Sequence, residues 1–511
     1  MRRTSLNTSV FIFSVAIWLA ACKTTPPPVS LPVVGQGIVS WGDNRSGQLG
    51  DGSTAPNRAL WGAVNLDGTW NAIAAGTGHT LVLKTDGSVW AWGENGKGQL
   101  GIGTTTDART PYTTQISNVV AIAAGGSHSL ALRNDGTVWA WGANDGGQLG
   151  NGTNADAASP VQAKGFFLVR AVAIAAGENH SLAVDGNGEV WAWGKNAFGQ
   201  LGDSSITDRT APVKVKQLTN VIQVAAGANH GLALKNDGSV WAWGDHRHLQ
   251  LGNGTLLSPS LTPIRVPTGL PATPQTFLSD VKAIAAGGDH SLALTNSNQI
   301  WGWGSDKFTE SSGVGGGLGA VAPDGTAVLF PQIMQGITGK VIAISGGTNH
   351  SLALTDDGRV WAWGHNDQGQ LGDSTFADPF SVVPVKNLKG AKTIAAGGGH
   401  SIALAVSSLK VDHTTLSFGN VQVDNSATLT VTISNDGAAP ANINSFVSSN
   451  PSEFAVTSNC TTPVKLAVAS ACAIQVTFTP GSAGSRTAML FINNDSPSGN
   501  LQVALSGNGT P

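Results

Sequence analysis

Short runs of apolar residues alternate along the chain with polar turn residues, as is typical of β-strands. In Val89-Trp90-Ala91-Trp92, successive side chains point to opposite faces of a strand, so the two tryptophans share one face. The pair Asp86-Gly87 separates this run from Leu81-Val82-Leu83 and predicts a hairpin turn. Helical periodicity is absent from the sequence between these runs, so the pattern predicts an all-β protein.

One pattern recurs seven times from Ile38 onward, with a period of about fifty residues. It reads Ile-Ala-Ala-Gly-x-x-His-Ser-Leu-Ala-Leu, then Asp-Gly-x-Val-Trp-Ala-Trp-Gly, then Gly-Gln-Leu-Gly. Its histidines are spaced by 49, 52, 50, 60, 60 and 50 residues: His79, His128, His180, His230, His290, His350 and His400. A further run containing proline predicts a fourth strand at a sheet edge, where proline is tolerated. Four strands per repeat predict one blade of a β-propeller.

The phase of the repeat predicts how the ring closes. The first Trp-Gly, at Trp41, has no Gly-x-x-His segment before it, and the last such segment, at His400, has no Trp-Gly after it. Residues 392–406 and 37–41 are therefore expected to share one blade, which would remove the exposed sheet edges of an open array. We expect a seven-bladed β-propeller over residues 37–406, closed by its N- and C-terminal strands.

The repeat resembles that of the regulator-of-chromosome-condensation family. The resemblance rests on Ala-Ala-Gly-x-x-His-Ser-Leu-Ala-Leu and on Trp-Gly-x-Asn-x-x-Gly-Gln-Leu-Gly, as at Trp92–Gly101 and Trp363–Gly372. It implies the propeller fold. It also implies guanine-nucleotide exchange as an alternative function, whereas some secreted bacterial members act as protein inhibitors. Activity depends on sites and not on the fold, so the resemblance alone does not decide between them.

The N-terminal segment predicts export and lipid anchoring. Residues 1–21 combine Arg2 and Arg3 with a short apolar stretch, as a signal peptide does. The following Leu19-Ala20-Ala21-Cys22 resembles a bacterial lipobox, which implies acylation of Cys22 and cleavage before it; an ordinary secretory cleavage site is the alternative. Residues 22–36 are proline-rich and predict a semi-rigid tether. We expect the protein to contact a membrane through this anchor in the bacterial cell envelope, favouring the outer membrane, or to be secreted.

A second domain is predicted over residues 409–511. Short strand patterns such as Ala427–Ile433 and Ala473–Phe478, separated by polar turns, predict an immunoglobulin-like β-sandwich. Several of its segments resemble the hydin and abnormal-spindle type of that fold. Cys460 and Cys472 form an even pair in an exported domain and are expected to form a disulfide.

Charge and motif content exclude several functions. The chain has 28 Lys and Arg against 31 Asp and Glu, a net charge of -3, and no cationic cluster of the kind that binds nucleic acid. Nucleophile-elbow, zinc-protease and phosphate-loop motifs are absent from the sequence. We therefore expect no enzyme activity, no cofactor and no metal, with a hydrolase in the propeller funnel as an alternative. Each repeat histidine is expected to bond a backbone group within its own blade.

Divergence among the repeats identifies candidate binding residues. The fifth repeat has His246-Arg247-His248-Leu249 in place of Asn-x-x-Gly, and the sixth loses Gly-Gln-Leu-Gly. These repeats also carry the longer spacing, and extra loop length on a regular scaffold often forms a recognition surface, with sequence drift as the alternative. The expected partner-binding residues are Phe198, His246, Arg247, His248, Lys307 and Phe308. The predicted function is an envelope-anchored, non-catalytic scaffold for a protein partner, with inhibition or reception of an extracytoplasmic protein as sub-cases.

Overall fold

The computed structural model describes residues 36–165, 170–254, 259–269, 275–305, 328–379, 381–460, 462–497 and 499–511. The predicted leader, Cys22, the tether up to residue 35, Lys307 and Phe308 lie outside the described residues. Within the described ranges every helix or strand element is a β-strand, so the all-β prediction is confirmed. No helix in this part of the chain is long and apolar enough to cross a bilayer.

The strands of the repetitive region follow the predicted periodicity. The first half contains β1 (Gln36–Asp43), β2 (Asn57–Val64), β3 (Trp70–Ala75), β4 (His79–Lys84), β5 (Val89–Gly93), β6 (Ala108–Thr113), β7 (Val119–Ala124), β8 (His128–Arg133), β9 (Val138–Gly142), β10 (Ala157–Gln162), β11 (Ala171–Ala176), β12 (His180–Asp185), β13 (Val190–Gly194) and β14 (Arg209–Lys214). The second half contains β15 (Val221–Ala226), β16 (His230–Lys235), β17 (Val240–Gly244), β18 (Ser260–Arg265), β19 (Val281–Ala286), β20 (His290–Thr295), β21 (Ile300–Gly304), β22 (Val328–Ile333), β23 (Val341–Gly346), β24 (His350–Thr355), β25 (Val360–Gly364), β26 (Val383–Pro384), β27 (Ala391–Ala396) and β28 (His400–Val406).

These strands form seven four-stranded antiparallel sheets within the described residues. Sheets 1 to 6 are each continuous in sequence, from β3–β6 through β23–β26. The seventh, which we call the closing sheet, has the order β2-β1-β28-β27 and joins strands from both ends of the region, with Ile38 opposite Leu404. In every sheet the first strand of the repeat is innermost. In sheets 1 to 6 the proline-containing run lies at the outer edge, as the sequence predicts, whereas the outer strand of the closing sheet, β2, contains no proline.

A circuit of backbone hydrogen bonds joins the inner ends of neighbouring sheets. In the first three links Thr77, Gly126 and Glu178 donate their amides to the carbonyls of Gly125, Gly177 and Gly227. The remaining bonds run from Ala228 to Gly288, Gly288 to Gly347, Thr348 to Gly397 and Gly398 to Gly76, with N···O distances of 2.9 to 3.1 Å. The last bond returns to the sheet where the first began.

Glycine is required where these sheet ends meet. A Cβ atom at Gly125 would lie 2.4 Å from the carbonyl oxygen of Gly177, and the same approach recurs at Gly397, where the distance to the Gly76 oxygen is 2.5 Å. Real Cβ atoms do not approach a backbone oxygen so closely, so a larger residue would push adjacent sheets apart. The Gly of each Gly-x-x-His segment therefore sets the spacing between sheets.

The repeat histidines bond to the next sheet and not, as the sequence analysis expected, to backbone within their own blade. His79 Nε2 lies 2.9 Å from Ser129 Oγ, and that hydroxyl donates to the Gln99 carbonyl at 2.8 Å. Because the serine proton is already committed, the histidine must donate from Nε2. Similar contacts join five more pairs: His128–Ser181, His230–Ser291, His290–Ser351, His350–Ser401 and His400–Thr80.

Burial keeps these histidines neutral. Desolvation lowers the pKa of His79, His180 and His350 to about 3 and that of His128, His230, His290 and His400 to about 4. His180 is the exception to the bonding pattern, because Gly231 stands where the other sheets carry Ser or Thr. Its Nε2 therefore lacks the hydroxyl partner that the other six histidines have.

The C-terminal domain consists of two packed sheets. Its strands are β29 (Leu409–Val411), β30 (Thr415–Gln422), β31 (Ala427–Asn435), β32 (Ala441–Ser448), β33 (Phe454–Ser458), β34 (Val464–Leu466), β35 (Ala471–Phe478), β36 (Gly484–Asn494) and β37 (Leu501–Thr510). The sheet orders are β29-β31-β35-β33 and β30-β37-β36-β32-β34, around a core that includes Phe418, Phe454 and Phe478. The predicted Cys460–Cys472 disulfide is present.

The domain packs against the closing sheet. Ala439 contacts Gly37, where an added Cβ would lie 3.0 Å from the alanine methyl. Lys465 forms an ion pair with Asp67, in the connection after β2. These contacts fix the C-terminal domain beside the end of the repetitive region where β1 begins.

Replacing Gly125 with Ala should lower the free energy of unfolding by about 1–3 kcal/mol, because the added methyl cannot fit against the Gly177 carbonyl. Gly96→Ala is the matched control, since Gly96 is exposed and has no atom within 4 Å of an added Cβ. It should change stability by no more than about 1 kcal/mol in either direction. Urea unfolding measures both variants, and equal effects would contradict this account of the sheet spacing.

Candidate protein-interaction surface

The two faces of the repetitive region are built from different connections. The segment between the first and second strands of each sheet and the loop between its third and fourth strands lie on one face, which we call the loop face. The hairpins between the second and third strands and the sheet-to-sheet connections lie on the other, the hairpin face. This assignment follows from the alternating strand directions within each sheet.

An asparagine organises most of the long loops on the loop face. Asn95 Oδ1 accepts the Leu100 amide at 3.0 Å, and its Nδ2 donates to the carbonyls of Thr104 and Thr106 at 2.9 Å. The amide of Asn95 itself donates to Asp107. In each loop that contains it, the motif Asn-x-x-Gly-Gln-Leu-Gly thus forms hydrogen bonds within the loop. The variable residues of these loops remain on the surface.

The fifth repeat departs from this pattern, and its loop presents a cation. His246 occupies the asparagine position and is buried, with 3% of its surface exposed. Arg247 follows it and remains exposed, and its guanidinium donates three hydrogen bonds to the buried Asp245, the shortest at 2.7 Å. The same guanidinium lies 4.1 Å from the ring centroid of Phe198, in the loop of the preceding sheet.

His248 extends this cluster to the next sheet. Its Nδ1 lies 3.3 Å from Asp289 Oδ2, and Gln250 donates to the other oxygen of that carboxylate. The hydrogen bond and the charge of Asp289 raise the pKa of His248 above its ordinary value, against the opposing effect of burial. We call Phe198, Arg247, His248 and Asp289 the Arg247 patch; it spans sheets 3, 4 and 5.

The structure therefore brings together three of the six predicted binding residues. Phe198, Arg247 and His248 share one surface, His246 lies beneath it, and Lys307 and Phe308 lie outside the described residues. Asp245 and Asp289 orient the exposed side chains and were not among the residues predicted from the sequence. Asp245 sits at a position where the other repeats have Asp, Glu, Ala, Lys, Ser or His, so residue type alone gave no signal for it.

The cavity at the centre of the loop face is small and chemically simple. It has a volume of about 160 Å³ and is lined almost entirely by Gly and Ala. Glu178 is the single titratable side chain among the described lining residues. Among the described lining residues, Glu178 is thus the one side chain that could act as a general acid or base. No cluster of three or more potential metal ligands occurs within the described ranges.

The loop face carries an excess of negative charge. Its described carboxylates number fourteen: Asp43, Asp51, Glu94, Asp107, Asp145, Asp156, Glu178, Asp203, Asp208, Asp245, Asp289, Asp367, Asp373 and Asp378. Its described lysines and arginines number seven: Arg45, Arg58, Lys97, Arg109, Lys195, Arg209 and Arg247. Arg247 is thus an exposed cation within an acidic surface.

The hairpin face has the opposite charge. Its described cations number fourteen: Lys84, Arg133, Lys164, Arg170, Lys214, Lys216, Lys235, Arg265, Lys282, Lys340, Arg359, Lys386, Lys389 and Lys392. Its described carboxylates number nine: Asp67, Asp86, Asp135, Asp185, Glu189, Asp237, Asp280, Asp356 and Asp357. The near-neutral net charge of the chain conceals this separation between the two faces.

Comparison with known proteins identifies the class to which these repeated sheets belong. The RCC1-like domain model matches residues 33–268 and 111–423. The chain belongs to the RCC1-like domain family. Residues 406–510 match Cep192 domain 4, to which the C-terminal domain is similar.

Individual relatives cover much of the repetitive region. The Ultraviolet-B receptor UVR8 of Arabidopsis thaliana is 32% identical to this chain. The match covers 67% of this chain and 64% of the receptor's length. The secretion-regulating guanine nucleotide exchange factor of Bos taurus is 30% identical, over 72% of each protein. Yeast RCC1 (Prp20), solved bound to Kap60, has the same fold, with a TM-score of 0.63, 23% identity and coverage of 76% of this chain and 95% of its own.

Asp289→Asn should lower the pKa of His248 toward its ordinary value of 6.5, because the hydrogen-bonded carboxylate charge is removed. In the unchanged protein, the stabilisation from this pair is present below that ordinary value and is lost as the pH rises through the raised pKa. NMR titration of the His248 ring measures the shift. Asp156→Asn, on the same face beside Lys97, is the control and should leave the His248 titration unchanged.

Proposed function

We propose that this protein is an envelope-anchored, non-catalytic scaffold that binds a protein partner through the Arg247 patch. The observation that carries the proposal is the exposed Arg247 guanidinium, stacked on Phe198 and held by the buried Asp245. Arginine and aromatic side chains fixed in one orientation are typical of energetically dominant interface residues. The patch crosses three sheets, so a partner would contact several loops of a rigid support.

The scaffold is proposed to be a closed ring of seven blades with an immunoglobulin-like sandwich attached. The circuit of backbone hydrogen bonds from Thr77 to Gly398 supports closure, as does the pairing of β1 with β28. The two packed sheets of the C-terminal domain support the sandwich. Export and acylation of Cys22 rest on the lipobox-like sequence alone, and placement at the outer membrane rests on the same leader.

The absence of catalysis is proposed from the lining of the central cavity. Glu178 has no second titratable side chain beside it among the described lining residues, and the sheet-end glycines leave little room for a substrate. A scaffold needs only an external surface, so this cavity does not limit the proposed binding. Inhibition or reception of an extracytoplasmic protein remains the favoured sub-case.

The partner contact can be tested by site-specific photocrosslinking in intact cells. Benzoylphenylalanine in place of Phe198 should give a discrete adduct, and the adduct should weaken when Arg247→Ala is added. Benzoylphenylalanine in place of Phe376 is the matched control, because Phe376 is an exposed aromatic residue in the loop of sheet 6. Equal adducts at both positions, or none at position 198, would contradict the proposed surface.

Guanine-nucleotide exchange is the second candidate, favoured by the similarity to the bovine exchange factor. Nucleotide release from purified small GTPases, followed with a fluorescent guanine nucleotide, separates the candidates. We expect the full chain to leave the release rate unchanged. Acceleration of release would favour exchange and would count against a scaffold without catalytic activity.

A further inference from the structure

The hairpin face carries a ring of β-bulges around the central opening. Each inner strand has one extra residue near its start: Val120, for example, lies between Val119 and Ala121, which pair with Arg133 and Leu132 in β8. The extra residue of a bulge is left outside the regular alternation of side chains. The same bulge occurs in all seven sheets. Each sheet therefore has one extra residue near the start of its inner strand, on the hairpin face.

Three successive bulge residues are exposed and apolar. Val120, Val172 and Ile222 belong to sheets 2, 3 and 4, and their exposed fractions are 54%, 44% and 38%. The inner strands that carry them are direct neighbours. An exposed cluster of large aliphatic side chains is unfavourable in water unless another surface covers it. We call these residues the apolar arc.

Lysines continue the ring beyond Ile222. Lys282 and Lys392 occupy the bulge positions of sheet 5 and the closing sheet, and Lys340 immediately precedes the inner strand of sheet 6. Lys282 Nζ donates to the Asn298 side chain at 2.7 Å, and no ion pair is found for any of the three within the described ranges. This lysine arc lies on the face where described cations outnumber carboxylates by fourteen to nine.

We propose that the hairpin face binds an acidic polypeptide segment whose apolar side chains cover Val120, Val172 and Ile222 while its carboxylates pair with Lys282, Lys340 and Lys392. Charge complementarity favours an acidic partner because none of the three lysines forms an ion pair within the described residues. The adjacent apolar arc requires that the partner also carry aliphatic or aromatic residues.

A polypeptide fits this surface better than a lipid bilayer does. The C-terminal domain contacts the same end of the repetitive region through Lys465 and Asp67. A flat bilayer approaching the hairpin face would meet that domain, whereas an extended chain can lie beside it. This site is separate from the Arg247 patch on the loop face, so it holds or fails independently of the proposed function.

Fluorescence anisotropy with the full chain tests the site. The probe is a labelled peptide in which Glu residues flank a Leu-Leu-Leu segment, and a second peptide with Lys in place of Glu tests the charge requirement. The Glu peptide should bind, and more weakly as salt is added; the Lys peptide should not. Exclusive binding of phosphatidylglycerol vesicles would overturn the proposal in favour of a membrane contact.

Variants locate the binding on the hairpin face. Combined Lys282→Gln, Lys340→Gln and Lys392→Gln should weaken binding of the Glu peptide by about tenfold, since each exposed ion pair contributes modestly.

The matched control is Arg45→Gln with Lys97→Gln and Lys195→Gln on the loop face, which should leave binding unchanged. Separately, serine at positions 120, 172 and 222 should weaken binding while leaving the salt dependence in place. Thermal unfolding checks that all variants fold. If the loop-face control loses as much affinity as the lysine-arc variant, or if neither set of substitutions weakens binding, the proposal is wrong.

Discussion

The close approach of backbone at the inner ends of the sheets is the constraint on which the rest of the structure depends. Carbonyl oxygens such as that of Gly177 lie where a Cβ of the neighbouring sheet would stand, so only glycine permits the hydrogen-bonded circuit between sheets. The buried histidine links add a second contact, farther from the centre, at six of the seven junctions between sheets. Because these histidines are kept neutral by burial, the links do not depend on pH near neutrality.

One junction between neighbouring sheets differs from the other six, and it lies beneath the Arg247 patch. His180 of sheet 3 faces Gly231 of sheet 4, so the histidine–hydroxyl link is missing there. Phe198 and Arg247 bridge the same two sheets at the loop face, 4.1 Å apart. The stacked pair thus contributes an external contact where an internal one is absent. The charge separation between the faces follows from the same frame, since alternating strand directions send each type of connection to a fixed side.

Much of the fold could be predicted because it is encoded locally and repeated. The Trp-x-Trp alternation and the Asp-Gly turns predict the strands, and the phase of Trp41 and His400 predicts the pairing of β1 with β28, which the structure contains. Bonding partners were harder to predict, because they lie one repeat away in sequence. The expectation that the repeat histidines bond within their own blade was wrong for this reason: the Ser129 hydroxyl that His79 contacts belongs to the next sheet.

The Arg247 patch was predicted only in part, because some of its contacts also join residues of different repeats. Divergence from the repeat identified Arg247 and His248, but it could not separate them from His246, whose side chain takes the buried position of the loop asparagine. Asp289 lies in an ordinary Gly-x-x-His segment of the following repeat, so its contact with His248 required the packing of two sheets. The apolar arc was equally hidden, because bulge positions are defined by strand register and not by residue type.

Native-state amide hydrogen exchange tests the proposed closure of the ring most directly. The seven amides of the circuit belong to Thr77, Gly126, Glu178, Ala228, Gly288, Thr348 and Gly398. A closed ring predicts that Gly398, at the junction of the chain ends, is as strongly protected as Glu178 on the far side, and that all seven exchange only with global unfolding. Fast exchange at Gly398 and Thr77, with protection rising toward Glu178, would indicate an open array with fraying ends and would contradict the account.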